Sequence, residues 1–275
     1  MTRRLAIVTG GLRGLGRGMA LGLAATGIKV LAVGHLPEDV AAMTGTPNVQ
    51  PMIADLRSPQ ACDNVIAEAI DAFGRIDILV NSAGLTFTYI DPKRFVDGPR
   101  KFWEISDEVI QNVMDTNYIA ADQLGRRVAP ILLRQGWGRI INVTTKLDTM
   151  NRAGSVPYGS SKAALEMTTE IWAKELAGTG VTVNIVNPGA GANTPGMAQE
   201  MRDWSRDGLK PRLVEPEEMV PPLIYVVSPA ADKVNGYRFD ALTWDIRLPP
   251  PEAARRNAHP AGLVLHPQDE STFPD

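Results

Sequence analysis

The chain has 275 residues, with 28 Lys or Arg against 31 Asp or Glu and a formal net charge of -3. That balance gives no basic footprint for DNA or RNA, while 44% hydrophobic and 21% charged residues is ordinary for a globular chain. Such a length buries roughly three quarters of the unfolded surface without a staple. Cys62 as the only cysteine excludes an intramolecular disulfide and a cysteine zinc site, and marks itself as a small buried hydrophobe. His35, His259 and His266 are too scattered for a metal centre, so no metal is expected. The apolar run after the basic start breaks at Thr9-Gly10-Gly11, unlike a signal peptide, and nothing reaches a membrane-spanning length. A cytoplasmic protein with no membrane partner is expected.

In chain order, Leu5–Thr9 is predicted as a buried strand and Leu15–Ala25 as a helix stopped by Gly27. Strands follow at Lys29–Val33 and Val49–Ala54. Ser58-Pro59 opens a helix to Phe73 that Gly74 stops. Ile76–Asn81 is a strand, Asp107–Gln135 a long helix, Arg139–Thr144 a strand, Pro157–Ala177 a helix, and Val181–Asn187 and Arg238–Ala241 strands. Continuous apolar strands alternating with helices predict an α/β fold: a three-layer, Rossmann-type, doubly wound parallel sheet with helices on both faces. Residues 1–243 are expected to form one domain. Residues 244–275, rich in proline, are expected to be an extended or partly disordered tail. Its small apolar run Ala261–Leu265 is expected to pack on the domain or a neighbouring subunit. Thr86–Glu104 interrupts the alternation as an aromatic insert.

Between the first strand and helix lies Thr9-Gly10-Gly11-Leu12-Arg13-Gly14-Leu15-Gly16. Glycines there allow a tight turn and close approach of phosphate oxygens, and the helix start offers free N–H groups. This is where a dinucleotide pyrophosphate would dock. The turn lacks the Gly-Lys-Ser/Thr ending of a P-loop. At the second strand end, Val33-Gly34-His35-Leu36 holds no carboxylate to bind the 2′-hydroxyl of NAD. Glycine leaves room for a 2′-phosphate, and Arg13 and His35 could bond it. NADP(H) is therefore preferred and NAD(H) possible, with Glu38 or Asp39 as the groups that would read the ribose.

Tyr158 and Lys162 stand at i and i+4 on a predicted helix and share a face. Carbonyl reduction by hydride needs an acid to protonate the forming alkoxide. An adjacent ammonium favours phenolate, lowering the phenol pKa by about 1–3 units, and Lys162 also reaches ribose hydroxyls. Tyr89 and Lys93 repeat the spacing, but Pro92 lies between them and breaks any helix.

Thr9–Gly16, Asn81-Ser82-Ala83-Gly84, Tyr158–Lys162 and Asn187-Pro188-Gly189 occur in the order and approximate spacing of the short-chain dehydrogenase/reductase family, which the chain resembles from about residue 4 to 241. The resemblance implies an NAD(P)-dependent oxidoreductase on ketones and secondary alcohols, assembled as a homotetramer or homodimer. It implies that Tyr158 is the acid/base and Lys162 its partner. Thr145, thirteen residues before Tyr158, stands where the family has a substrate-orienting serine, a change that keeps the hydroxyl but stiffens it. Asn117 matches the asparagine that holds a relay water. Gly10, Arg13, Gly14, Leu15, Gly16, His35, Asp55, Leu56, Asn81, Ala83, Gly84, Pro188, Gly189 and Thr194 are the implied cofactor contacts, with Asp55 at the adenine and Pro188–Thr194 beside the nicotinamide.

Phe87, Tyr89, Phe95, Trp103, Met150, Met197, Met201 and Trp204 on the substrate-facing segments suit a medium-sized, partly hydrophobic ketone or alcohol. Arg94, Arg152 and Arg202 could meet an anionic group, but each is read as solvated at the surface. Two other functions compete: an S-adenosylmethionine methyltransferase, which would not need Tyr158–Lys162, and a non-catalytic nucleotide sensor, which turnover would exclude.

Overall fold

The computed structural model describes residues 4–263. Among the described residues eight strands form one sheet in the order β3-β2-β1-β4-β5-β6-β7-β8. In chain order the first half runs β1 (Leu5–Thr9), α1 (Gly14–Ala25), β2 (Lys29–Gly34), α2 (Pro37–Ala41), β3 (Val49–Ile53), α3 (Pro59–Phe73), β4 (Ile78–Asn81), α4 (Phe87–Ile90), α5 (Arg94–Asp97), α6 (Asp107–Met114) and α7 (Ala120–Gln135). The second half runs β5 (Gly138–Asn142), α8 (Leu147–Met150), α9 (Tyr158–Glu175), β6 (Val181–Asn187), α10 (Gln199–Arg206), α11 (Val220–Val226), β7 (Tyr237–Asp240), α12 (Pro250–Asn257) and β8 (His259–Pro260). All neighbouring strands are parallel except β7 and β8. This is the expected Rossmann-type, doubly wound sheet, with an antiparallel strand added at one edge.

The strands read as apolar runs because both faces are covered. On β1, Ala6 and Val8 join a core with Met19 and Leu23 of α1 and Leu223 and Val226 of α11. Leu5 and Ile7 face the other way, into a core with Cys62 and Val65 of α3 and Leu124, Val128 and Leu132 of α7. Each fully buried aliphatic side chain of this kind contributes about 1.5–3 kcal/mol. Cys62 is the buried hydrophobe expected, its thiol pKa raised by burial.

Local signals behave as their chemistry dictates. Ser58 caps α3 by accepting from the Ala61 amide at 3.4 Å, and Gly74 ends it at φ 74°. The expected helix over 107–135 is continuous but has a π-helical turn at Asp115–Ile119 between α6 and α7. Such turns favour functional positions, and this one carries Asn117.

The tail departs from the expectation of an extended segment. Pro250–Asn257 is helical, with Pro at its start, where a missing N–H costs nothing. Ala253 and Ala254 of α12 and Trp244 enter the core, where Trp244 packs on Tyr225 and Phe239. The small alanine face was too short to show a period. Ala261 is buried and its amide donates to Gly236, whereas Val264, Leu265 and His266 lie outside the described residues. The Thr86–Glu104 insert forms the two short helices α4 and α5 and one 3-10 turn. Among the described residues no helix is long and apolar enough to cross a membrane, and no acid, cysteine and histidine group is arranged to hold a metal.

Candidate active site

Strand order reverses between β1 and β4, which opens a crevice at their carboxyl ends. The glycine turn lies on one side of it and Ser82–Gly84 on the other. Thr9, at the end of β1, ties the two: its hydroxyl oxygen accepts from the amides of Ser82 and Ala83, both at 3.0 Å. Gly10 has φ 63°, and a methyl there would meet the Ala83 backbone at 3.0 Å. A side chain on Gly16 would strike the Gly10 carbonyl, so α1 can begin only this close to β1 with glycine at 16. Gly14 at φ 54° faces Thr194, which a methyl would meet at 3.2 Å. Arg13 occupies the N-cap of α1 without a side-chain cap bond. The helix start thus keeps its N–H groups for an outside acceptor, beside a turn with no side chain to obstruct it. These features fit the pyrophosphate of a dinucleotide. Leu15 is half-buried one residue into the helix.

At the end of β2, Gly34 has a reason other than the one expected. A methyl on it would meet Leu12 at 2.7 Å, so glycine there seats the buried Leu12 rather than leaving an open space. Arg13 is exposed and its Nε lies 3.9 Å from Asp39, while His35 is exposed. Asp55, beyond β3, is held by Arg57, which lowers its pKa through hydrogen bonds of 2.6–3.1 Å. Leu56 beside it is buried. Asn81 is buried and donates to Asn142 at 2.9 Å, and its Oδ1 has no partner among the described residues. Pro188 is buried, and Gly189 turns at φ 73° against Asp240.

Tyr158 begins α9, half-buried under Phe87, whose ring centroid lies 4.6 Å away. Burial raises the phenol pKa, and the neighbouring Thr145 hydroxyl pulls it partly back. Lys162 is buried one turn on, its pKa lowered to about 8 by burial. The expected lowering of the phenol by the ammonium is not the dominant effect here. Lys162 Nζ donates instead to the Val143 carbonyl at 2.8 Å, and desolvation governs the phenol. Asn117 is buried rather than solvent-facing. Its Nδ2 donates to Leu85 O and Ser161 Oγ, both at 3.0 Å, and its Oδ1 accepts from the Leu85 amide at 2.7 Å. A methyl on Gly84 would lie 3.4 Å from Asn117 Oδ1 and 3.5 Å from Lys162 Nζ, so these three positions converge.

Tyr89 is elsewhere. It is exposed and its hydroxyl accepts from Asn112, which in turn accepts from Arg57. Trp103 is 69% exposed and meets Phe102 edge-to-face, so the expected aromatic set does not gather into one pocket. Arg202 is spent on Asn193 and Gln199. Sequence reasoning missed Glu166, Arg238, Ser161 and the burial of Arg94. Glu166, four residues beyond Lys162, is fully buried on the same face of α9; a carboxylate on an inward-facing helical stripe was the available signal.

The chain is similar to known proteins in sequence and fold. The family model for short chain dehydrogenases matches residues 4–206. The 3-oxoacyl-(acyl-carrier-protein) reductase of Vibrio cholerae is 30% identical over 242 residues, 85% of this chain and 93% of its own length. A short-chain type dehydrogenase/reductase of Picea abies is 33% identical over 248 residues, covering 84% and 88%. The 3-ketoacyl-(acyl-carrier-protein) reductase of Brucella melitensis, solved with NADH, superposes at TM-score 0.74 with 25% identity, covering 86% of this chain and 96% of its own. A variant of the actinorhodin polyketide ketoreductase, solved with NADPH, gives TM-score 0.74 and 26% identity, covering 85% and 93%.

Proposed function

Because this chain belongs to the short chain dehydrogenase family, a family of NAD(P)-dependent oxidoreductases, we propose that it interconverts a ketone and a secondary alcohol, with Tyr158 as the acid/base. One observation carries the reading: a phenol at the head of α9 beside the Thr145 hydroxyl, one turn from a buried lysine. When bound, the nicotinamide supplies the hydride in reduction and accepts it in oxidation.

The chain does the rest. Tyr158 gives its hydroxyl proton to the carbonyl oxygen of the substrate and takes it back in the reverse direction. Thr145, buried three residues beyond β5, orients that oxygen. The Lys162 ammonium, still mostly charged at neutral pH with its pKa at about 8, stabilises phenolate through the low-dielectric interior and meets ribose hydroxyls. Asn117 has committed both side-chain donors, so its remaining Oδ1 lone pair is what can accept from a relay water.

The glycine turn at 10–16, with Asp55, Leu56, Asn81, Ala83, Gly84, Pro188, Gly189 and Thr194, lines the dinucleotide in this reading. NADP(H) is the preferred form: Arg13 is exposed, loosely paired, and free to swing to a 2′-phosphate, with His35 beside it. In the alternative, Asp39 leaves Arg13 and accepts from the ribose of NAD(H). The reading also takes the protein as a cytoplasmic homotetramer or homodimer, supported by exposed Ile70, Leu133 and Ile171 on α3, α7 and α9.

The test is a panel of ketones and secondary alcohols, including a 3-oxoacyl thioester as the curated relatives' names suggest, followed by nicotinamide absorbance with each cofactor. Turnover of at least one carbonyl compound supports the reading. No turnover across the panel with either cofactor contradicts it.

A further inference from the structure

Arg94 was expected at the surface, yet it is only 8% exposed. It opens α5, and its Nη1 donates to the Gly154 carbonyl at 2.6 Å. Its guanidinium carbon lies 4.0 Å from the centre of the Phe87 ring, and the centre of the same ring lies 4.6 Å from that of Tyr158. Phenol and guanidinium therefore pack on the same phenyl ring, and the charge lies no farther from the phenol ring than those two distances together. Arg152 approaches the same Phe87 ring at 6.0 Å from the loop that precedes α9.

Two like charges so placed repel, and burial costs Arg94 most of its hydration. Both effects lower its pKa, desolvation first and Arg152 second. Asp91, whose charge acts the other way on Arg94, is itself buried and lies 3.7 Å from Arg100. Among the described residues neither Arg94 nor Arg152 has a carboxylate within ion-pair distance. Arg94 Nε and Nη2 have no acceptor there, and neither is sealed from solvent. A planar fork with unspent donors and a second guanidinium matches a carboxylate in shape and charge.

We propose that Arg94 and Arg152 form a carboxylate-binding subsite beside Tyr158, so that the substrate is a keto acid or the corresponding hydroxy acid rather than a neutral ketone. The inference rests on Tyr158 as the reacting acid/base. The carboxylate is held by the guanidinium groups and the carbonyl by the phenol, with Phe87 in contact with both. A purely structural role for Arg94 would be to fasten the insert to the loop through Gly154, which also packs on Pro99.

The experiment compares kcat/KM for a homologous series of straight-chain keto acids with those of their methyl esters, in the wild type, Arg152→Ala and Arg94→Met. The expected wild-type acid-to-ester ratio is about tenfold or more for the best chain length, the scale of one charge-assisted pair. That ratio should fall several-fold in Arg152→Ala and approach unity in Arg94→Met. A wild-type ratio near unity, or a ratio unchanged in both variants while acid and ester rates drop together, overturns the subsite. If Arg94→Met does not fold, the wild-type ratio and Arg152→Ala still decide. Failure of the ketoreductase reading looks different: neither acid, ester nor any other ketone turns over.

Discussion

Glu166 accepts from Arg238 at 3.0 Å, and both side chains are shut off from solvent. The other carboxylate oxygen accepts from the Thr144 hydroxyl at 2.9 Å, and the second Arg238 nitrogen donates to the Thr145 carbonyl at 3.0 Å. Thr145 is thus held through its backbone by a charge pair bridging α9 and β7.

Glu166→Gln should leave the buried Arg238 charge with Asp240, 3.6 Å away, as its remaining carboxylate, at a cost below the roughly 3–5 kcal/mol of a wholly unpaired buried charge. Combining it with Arg238→Met should cost less than the two single changes added together. A urea-unfolding double-mutant cycle measures this coupling. Strict additivity would mean that the pair contributes nothing as a pair.

Lys162 gives a pH signature in stability. Its folded pKa is about 8 against an ordinary value of 10.5. Between those values the unfolded chain binds more protons, so this group makes stability rise with pH across that window. The lysine is destabilising below about 8, by roughly 3 kcal/mol at about 1.4 kcal/mol per unit. Lys162→Met should therefore be more stable than wild type near pH 7, by an amount that shrinks toward pH 10. A difference independent of pH in denaturant titrations would show that the lysine is not desolvated.

Arg13→Ala should lower kcat/KM for NADPH by about tenfold or more, the loss of one charge-assisted bond, and leave NADH nearly unaffected. Kinetics with both cofactors decide it. A wild type that prefers NADH, with that preference retained in the variant, would show that Arg13 reads no phosphate.

The sheet was legible in the sequence because strands covered on both faces are apolar throughout, and because Gly74 and Ser58-Pro59 end and start helices by local chemistry. The glycine turn and Tyr158–Lys162 were legible because both depend on short, fixed spacing. Long-range choices were not. Gly34 looked like space for a phosphate, but Leu12, 22 positions earlier, fills it. Arg94 looked solvated until α5 and the loop carrying Gly154 were brought together. Helix α12 was missed because its buried face is only Ala253, Ala254 and Asn257, residues that leave little hydrophobic signal.

The account stands on Tyr158, and the sequence contains its own control. Tyr89 has the same spacing to a lysine but lies exposed, its hydroxyl bonded to Asn112 at 2.8 Å. The decisive measurement is kcat for Tyr158→Phe and Tyr89→Phe, with cofactor binding followed by fluorescence. Tyr158→Phe should lower kcat by roughly 10²–10⁴-fold, the range for loss of a general acid/base, while binding cofactor almost as the wild type does; Tyr89→Phe should change kcat far less. Full activity in Tyr158→Phe, or equal losses in the two variants, would contradict the assignment of the reacting proton to this phenol.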